Sequence, residues 1–151
     1  MIFLEKLKGR TLRDWISEGF FADKNKYLNS KRILNCVLQI AVGLNYIHKR
    51  GIVHQEVIPD YVFVENDRIL KIGHLGALNP VMNKFTKNFT VGGSPEYWSP
   101  EQGGIFDKIK EYSKDGNYST SMKLLPVLTY HSDLYQLGLI ICEILLSDRL
   151  W

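Results

Sequence analysis

The sequence predicts a mainly α-helical fold with one small β-hairpin, and three stretches of the chain support this prediction. Apolar residues recur at spacings of three and four between Ser30 and Lys49, as they do on one face of a helix. Two β-rich runs, Val62 to Val64 and Ile69 to Ile72, are joined by the polar turn ENDR, which is typical of a hairpin. From about Ser132 to Leu146 the residues are mostly apolar, which indicates a helix buried in a core.

The composition fits one globular domain. Of the 151 residues, 45% are hydrophobic and 23% are charged, which is enough apolar material for a single core. The 19 basic and 16 acidic residues are scattered rather than clustered, so we expect no nucleic-acid binding. The longest apolar run, Leu134 to Leu146, is too short to cross a bilayer and contains Gln136 and Glu143. We therefore expect no interaction with a membrane.

Two features indicate a cytoplasmic protein. The first residues, MIFLEKLKGR, mix charges with apolar residues and lack the uninterrupted apolar segment of a signal peptide. The two cysteines, Cys36 and Cys142, both lie in apolar helical runs, where a buried free thiol is the usual interpretation. A reducing compartment follows from that interpretation.

The first half of the chain divides into a strand and two helices. The apolar run MIFL is suited to a short strand, and TLRDWISEGFF to a short helix that Thr11 caps, with Asp14 in its first turn. Ser30 is a plausible N-cap for the long helix that follows. Gly51 stands where that helix is expected to end.

The second half begins with an irregular segment around Pro59 and the hairpin. From Leu75 to about Tyr130 the periodicity is weak and turn residues are frequent, so we predict one long irregular segment. Such a segment in a compact domain is more often functional or mobile than idle. Ser132 or Asp133 would then cap the last helix.

Three stretches resemble, in order and spacing, signatures of the C-terminal lobe of a eukaryotic protein kinase. The first, LNYIHKRGIVHQEVIPDYVFVENDRILKIGHLG, is similar to the H-R-D-L-x-x-x-N catalytic loop followed by the metal-binding D-F-G. The second, GGSPEYWSPEQ, is similar to the A-P-E segment, and the third, HSDLYQLGLIICEIL, to the helix beyond it. The start, MIFLEKLKGRTLRDWI, resembles the hinge between the two kinase lobes. TLRDWI, LKIG and SDLYQLGLI resemble in particular the kinases of translation initiation factor 2 alpha.

This resemblance covers residues 1–151 and implies a partial kinase-like domain, a fragment of the α+β kinase fold. It would contain the hinge and the C-lobe through the central apolar helix, without the small lobe or the last helices. A helix as apolar as Leu134 to Leu146 needs neighbours on every face, because apolar surface left in water forfeits about 25 cal/mol per Å². We therefore expect a protein partner, either a kinase or the rest of a larger chain.

The catalytic positions of the family are changed in this sequence. Where the family has the aspartate that accepts the substrate proton, this chain has Glu56, and where it has the phosphate-steadying lysine, this chain has Ile58. Glutamate is one methylene longer, and a displacement of one ångström can cost on the order of a hundredfold in rate. The resemblance therefore implies weak or absent phosphoryl transfer.

Both positions that bind magnesium in the family are also changed. Tyr61 replaces the asparagine, and a protonated phenol is a poor ligand for a hard cation. His74 replaces the aspartate of D-F-G, and imidazole suits zinc or copper better than magnesium. We therefore predict no cofactor. Gln55 replaces the arginine that pairs with a phosphorylated activation loop in many kinases.

Several positions that shape the backbone in the family are retained, namely His54, Gly76, Glu101 and Asp133. The resemblance implies that Asp133 receives backbone donors from the catalytic loop, which would stabilise a buried carboxylate. It also implies that His54 packs in the core with its ring hydrogen-bonded to backbone.

Retained architecture with altered chemistry predicts a pseudokinase or pseudokinase fragment that regulates a partner by binding. The alternative is a divergent serine/threonine kinase represented by a fragment, with Glu56 as base and with ATP and Mg²⁺ as cofactors. A decayed, unexpressed gene product is also compatible with the sequence. A further alternative is a zinc site formed by His54, Glu56 and His74.

Overall fold

The computed structural model describes residues 7, 9–23, 27–66, 68–74, 79–80, 94–114 and 129–146. These residues form a mainly helical fold with small antiparallel sheets, as the sequence predicts. In chain order, the elements are β1 (Arg10–Thr11), α1 (Leu12–Ser17), α2 (Ser30–His48), β2 (Ile52–Val53), a first 3₁₀ turn (Pro59–Tyr61), β3 (Val62–Glu65), β4 (Ile69–Ile72), β5 (Asn79–Pro80), a second 3₁₀ turn (Pro95–Tyr97), α3 (Pro100–Lys114) and α4 (Tyr130–Leu146). The strand predicted over MIFL lies outside the described residues.

The start of α1 is a reciprocal capping box. The Thr11 hydroxyl accepts a hydrogen bond from the backbone N–H of Asp14, and the Asp14 carboxylate accepts one from the backbone N–H of Thr11 at 2.7 Å. Two donors that a helix start leaves unpaired are thereby satisfied. The prediction that Thr11 caps this helix is confirmed.

The long helix α2 begins and ends close to the predicted residues, but its cap is different. Asn29, not Ser30, is the N-cap, because its side-chain oxygen accepts from the backbone N–H of Arg32 at 3.1 Å. Ser30 is the first helical residue. Gly51 follows the helix with φ +72°, a conformation that glycine adopts without steric cost.

The predicted hairpin is present as β3 and β4. The strands pair antiparallel, with Val62 opposite Ile72 and Glu65 opposite Ile69, and β1 pairs with the other edge of β3. Val62 and Val64 face the core. A separate two-stranded sheet is formed by β2 and β5.

Helix α3 lies within the stretch predicted to be irregular, so that prediction is wrong for residues 100–114. Pro100 suits the first helical turn because its fixed φ is helical and its missing N–H would have no partner there. Gly103 and Gly104 resemble a turn in the sequence, but the neighbouring Gln102 and Ile105 are fully buried. Tertiary packing therefore outweighs the low helix propensity of glycine at this position.

Helix α4 begins at Tyr130, so neither Ser132 nor Asp133 caps it; both lie inside the helix and are buried. The expected burial of its apolar residues is also only partly correct. Leu137, Ile140 and Ile144 enter the core, whereas four large apolar residues remain 43–64% exposed, namely Leu134, Tyr135, Leu145 and Leu146. The buried face of α4 is therefore not the most apolar one.

The core lies between α1, α2, α4 and the β1–β3–β4 sheet. It includes Cys36, and burial raises the pKa of this thiol to about 12. Cys142 is exposed, so its predicted burial is wrong. Among the described residues, the helices are too short or too polar to cross a membrane.

Candidate functional site

The segment from His54 to Tyr61, here called the catalytic-loop segment, is held in place by the carboxylate of Asp133. Asp133 Oδ1 accepts from the backbone N–H of Gln55 at 2.7 Å, and Oδ2 accepts from the backbone N–H of His54 at 2.9 Å. Oδ2 also lies 2.7 Å from His48 Nε2. Because Asp133 is fully buried, these donors replace the water that it loses.

Two glutamine side chains complete this support, and both were missed in the sequence. Gln136 accepts from the backbone N–H of Val57 at 2.8 Å and donates to the carbonyl of Gln55 at 2.9 Å. Gln102 donates to the same carbonyl at 3.2 Å. The backbone of Gln55 has φ +68°, and such a conformation persists only where surrounding contacts hold it. The role of Gln136 could have been found from its position three residues after Asp133, because residues at this spacing lie on the same face of a helix.

His54 joins the catalytic-loop segment to the end of the hairpin. Its Nε2 lies 2.9 Å from the carbonyl oxygen of Gly73, so Nε2 carries the proton, and Nδ1 accepts from the backbone N–H of Glu56 at 3.3 Å. His54 is fully buried, and burial lowers the pKa of its imidazole, although the bond to Gly73 opposes this. The ring is therefore neutral at pH 7.

The side chains of Glu56, Tyr61 and His74 contact one another. Nε2 of His74 lies 3.1 Å from a carboxylate oxygen of Glu56. The His74 and Tyr61 rings are stacked, with centroids 4.0 Å apart and planes 10° apart. The residues that the sequence resemblance assigns to the family's base position and to both of its magnesium positions thus form one cluster, here called the substituted cluster.

The register of the hairpin brings the substituted cluster together. Tyr61 directly precedes β3, and the pairing of Val62 with Ile72 places Gly73 beside it, where the N–H of Gly73 donates to the carbonyl of Tyr61 at 2.8 Å. A Cβ on Gly73 would lie 2.6 Å from the Phe63 ring, so the close approach requires glycine. His74 then follows with φ +57° and lies over Tyr61.

The cluster is poorly suited to a divalent cation. Glu56 supplies one carboxylate, and its oxygen is already paired with an imidazole. Among the described residues, no three His, Cys, Asp or Glu side chains are grouped so as to hold a metal ion. Both ring nitrogens of His54 bond to backbone groups, so the zinc set of His54, Glu56 and His74 is not formed.

Two neighbouring side chains add no charge to the site. Ile58, at the position of the family's lysine, is only 5% exposed and lies among buried residues. The Gln55 amide, at the position of the family's arginine, is also buried, and neither its nitrogen nor its oxygen has a hydrogen-bond partner in the described part of the chain. Such an unpaired amide costs about 1–3 kcal/mol.

Glu101 lies apart from this site, exposed in the first turn of α3. Hydrogen bonds from its own backbone N–H and from Ser99 lower the pKa of its carboxyl. A carboxylate there stabilises the helix start because it faces the positive end of the helix dipole. Gly76 lies outside the described residues.

A second buried polar cluster lies beside the catalytic-loop segment and was also missed in the sequence. Arg13 of α1 pairs with the fully buried Glu143 of α4, donates to the Tyr97 hydroxyl at 2.5 Å and reaches Asp60 at 3.2 Å. The Tyr97 hydroxyl also donates to Glu143. Burial and this bond raise the pKa of Tyr97. The cluster links α1, α4 and the second 3₁₀ turn to the residue before Tyr61.

In this chain, backbone amides of the catalytic-loop segment bond to the buried Asp133, and the hairpin then returns beside that segment. This arrangement fits the one that the sequence motifs predict. The family model for the protein kinase domain matches residues 1–151. This chain belongs to the protein kinase domain family, and the predicted family is confirmed.

Similar chains include the interferon-induced, double-stranded RNA-activated protein kinases of rat and mouse. They are 28% and 30% identical to this chain over 135 residues, which is 89% of this chain but 22% of each relative. The human serine/threonine-protein kinase Nek11 is 33% identical over 100 residues, or 66% of this chain and 15% of that protein. The chain therefore spans about a fifth of these kinases or less.

Proposed function

We propose that this chain is a pseudokinase or pseudokinase fragment, corresponding to the C-lobe of the kinase fold, which regulates a protein partner by binding. The observation that carries the proposal is the substituted cluster, in which His74 contacts the Glu56 carboxylate and stacks on Tyr61. In an active kinase, the corresponding positions act on metal and substrate instead.

The chemistry of the cluster supports this proposal. Mg²⁺ requires nearly octahedral oxygen ligands, and neither the imidazole of His74 nor the protonated phenol of Tyr61 supplies one. To bind Mg²⁺ through Glu56, the protein would have to break the Glu56–His74 contact. Ile58 offers no positive charge to a transferring phosphoryl group.

The retained scaffold is the second line of support. Asp133, Gln136 and Gln102 bond to backbone groups of the catalytic-loop segment at residues 54, 55 and 57. A loop that is ordered by its own protein can serve as a fixed binding surface. The proposed partner is another kinase or the rest of a larger chain, in the cytoplasm.

A divergent serine/threonine kinase represented by a fragment is the second candidate, since relatives of this chain are serine/threonine kinases by name. In that candidate, Glu56 would act as the base, and ATP and Mg²⁺ would be required. Glu56 would first have to be released from His74.

A phosphoryl-transfer assay separates the two candidates. The chain is incubated with γ-labelled ATP, Mg²⁺ or Mn²⁺ and protein acceptors, beside a Glu56→Ala variant and a heat-denatured control. We expect no incorporation above the denatured control, because Tyr61 and His74 stand at the predicted magnesium positions and Ile58 at that of the phosphate-steadying lysine. Incorporation by the chain that Glu56→Ala abolishes would establish the kinase instead.

A further inference from the structure

Helix α2 has apolar residues on two opposite faces, and only one of them is covered. The inner face contributes Cys36, Ile40 and Leu44 to the core. The outer face carries an apolar row in which every fourth residue is more than half exposed: Leu34 (69%), Leu38 (59%), Val42 (59%) and Tyr46 (59%). A single exposed apolar residue needs no explanation, but a row on one helix often marks an interaction site.

The outer α2 face, defined by these four residues, is bounded by positive charge. At 100° per residue, Lys31 and Lys49 fall on the same side of the helix, one beyond each end of the row. Both are exposed, and neither pairs with a carboxylate in the described part of the chain. Residues 30–50 include no Asp or Glu. The guanidinium of Arg50 lies 3.5 Å from the centre of the Tyr46 ring and adds to the charge at that end.

We infer that the outer α2 face is a docking surface for an amphipathic helix of a partner protein that carries acidic residues at both ends of an apolar row. This inference rests on the proposed function, in which the domain acts by binding a partner. It deepens that function because it states the chemistry of the partner. The apolar row would supply the affinity, and the lysines would orient the partner.

The dimensions of the face specify the partner further. The apolar row is about 18 Å long, and Lys31 and Lys49 are about 27 Å apart along the axis, at a rise of 1.5 Å per residue. Residues spaced by four form a ridge that fits between the ridges of a second helix. Only a partner helix inclined by about 20° follows the row for its full length and reaches both lysines. About five turns of helix are needed.

The charge pattern disfavours a second copy of this chain as the occupant. Two α2 helices packed antiparallel would place Lys31 of each copy beside Lys49 of the other, and parallel packing would align identical lysines. Like charges across an interface oppose association. A membrane surface fits less well, since interfacial helices usually present a broad apolar face, and here Asn35 and Asn45 are exposed beside the row.

The test is fluorescence anisotropy with a designed probe. The probe is a labelled helical peptide of about 20 residues with leucines on one face at alternating spacings of three and four and with glutamates at both ends, and its matched control has lysines in place of the glutamates. We expect saturable binding of the glutamate probe, at least about tenfold weaker binding of the lysine probe, and loss of affinity as salt is added.

Two variants locate the binding. Leu38→Glu lies in the middle of the row and should weaken glutamate-probe binding by at least about tenfold. Leu145→Glu, at an apolar residue of α4 that is 47% exposed, should bind as the unchanged chain does. Circular dichroism melts of both variants verify that each is folded, and exposed positions make this the expected result.

Any of these probe results would overturn the inference: no probe binding, equal binding of both probes, equal loss in both variants, or saturation of the chain by vesicles of anionic lipid without probe binding. A dimer in sedimentation that Leu38→Glu abolishes would assign the face to a second copy and would also overturn it. The phosphoryl-transfer assay does not depend on this face. Failure of the docking inference and failure of the pseudokinase proposal are therefore distinguishable.

Discussion

At the scale of single residues, the three substitutions in the substituted cluster compensate one another. Glu56 is 8% exposed, and a carboxylate so buried needs a positive or hydrogen-bonding partner. In a kinase, divalent cations balance the charge of such a site. Here Nε2 of His74 lies 3.1 Å from the Glu56 carboxylate, and stacking on Tyr61 orients the imidazole. Two of the three replacements, Tyr61 and His74, fall at predicted magnesium positions, and all three side chains contact one another.

The first prediction concerns Asp133. Replacing it with alanine leaves two backbone N–H groups of the catalytic-loop segment without their partner in a buried site, so Asp133→Ala should lower the free energy of unfolding by about 3 kcal/mol or more. Urea denaturation measures this loss. Asp107→Ala, the same change at an exposed position of α3, should have little effect. Equal stability of the two variants would show that Asp133 does not hold the loop.

The second prediction concerns pH. Burial lowers the pKa of His54 below its usual 6.5, so on acidification the unfolded chain takes up a proton that the folded chain resists. This contribution to the free energy of unfolding is complete above pH 6.5 and declines below it, with a slope of at most about 1.4 kcal/mol per pH unit.

Urea denaturation measures the unfolding free energy of the unchanged chain and of the His54→Asn variant at several pH values between 7.5 and 5. The difference in unfolding free energy between them should shrink as the pH falls below 6.5, the ordinary pKa of histidine. His131→Asn, at an exposed histidine, is the control and should follow the unchanged chain. Parallel pH profiles for His54→Asn and the unchanged chain would contradict a neutral, buried His54.

At the scale of elements, α4 holds the fold together through polar side chains. Asp133, Gln136 and Glu143 are all fully buried, and their contacts join α4 to other parts of the chain. Asp133 and Gln136 bond to the catalytic-loop segment, and Glu143 bonds to Arg13 of α1 and to the second 3₁₀ turn. The helix is thus a common support; the sequence resemblance implied this role for Asp133 but not for Gln136 or Glu143.

The third prediction is a strong coupling between Arg13 and Glu143. Arg13→Met leaves a fully buried carboxylate without its cation, which typically costs about 3–5 kcal/mol. The double variant Arg13→Met, Glu143→Leu should cost much less than the sum of the single variants. A double-mutant cycle by urea denaturation measures the coupling. The exposed pair Arg10–Glu18 serves as the matched control, with a coupling close to zero. Additive effects at Arg13 and Glu143 would contradict the buried pair.

The elements show where local sequence patterns suffice. The hairpin and the centre of α2 follow directly from apolar periodicity, and the Thr11 cap follows from side-chain chemistry. Helix α3 was missed because Gly103 and Gly104 have low helix propensity, which the burial of their neighbours offsets. The caps proposed for α4 failed because the Asp133 carboxylate bonds to distant backbone amides instead of its own helix start.

At the scale of the whole molecule, the order of the motifs identified the family, and the contacts between them required the structure. The sequence identified Glu56, Tyr61 and His74 as altered positions. Their mutual contact could also have been inferred, because the predicted hairpin returns the chain from Tyr61 to Gly73. The support from Gln136 could have been inferred from its place one helical turn after Asp133, but the support from Gln102 could not, since no local pattern links helix α3 to residue 55.

The central claim is that the substituted cluster occupies the place where a kinase binds metal. Its most direct test is an NMR titration of the uniformly ¹⁵N-labelled chain with Mn²⁺, with and without ATP, because Mn²⁺ broadens the amide signals of residues close to it. A Tyr61→Asn, His74→Asp variant, which restores two oxygen ligands, is the comparison. We predict no selective broadening at residues 54–61 or at His74 in the unchanged chain. Saturable broadening confined to these residues, and reversed by Mg²⁺, would contradict the claim.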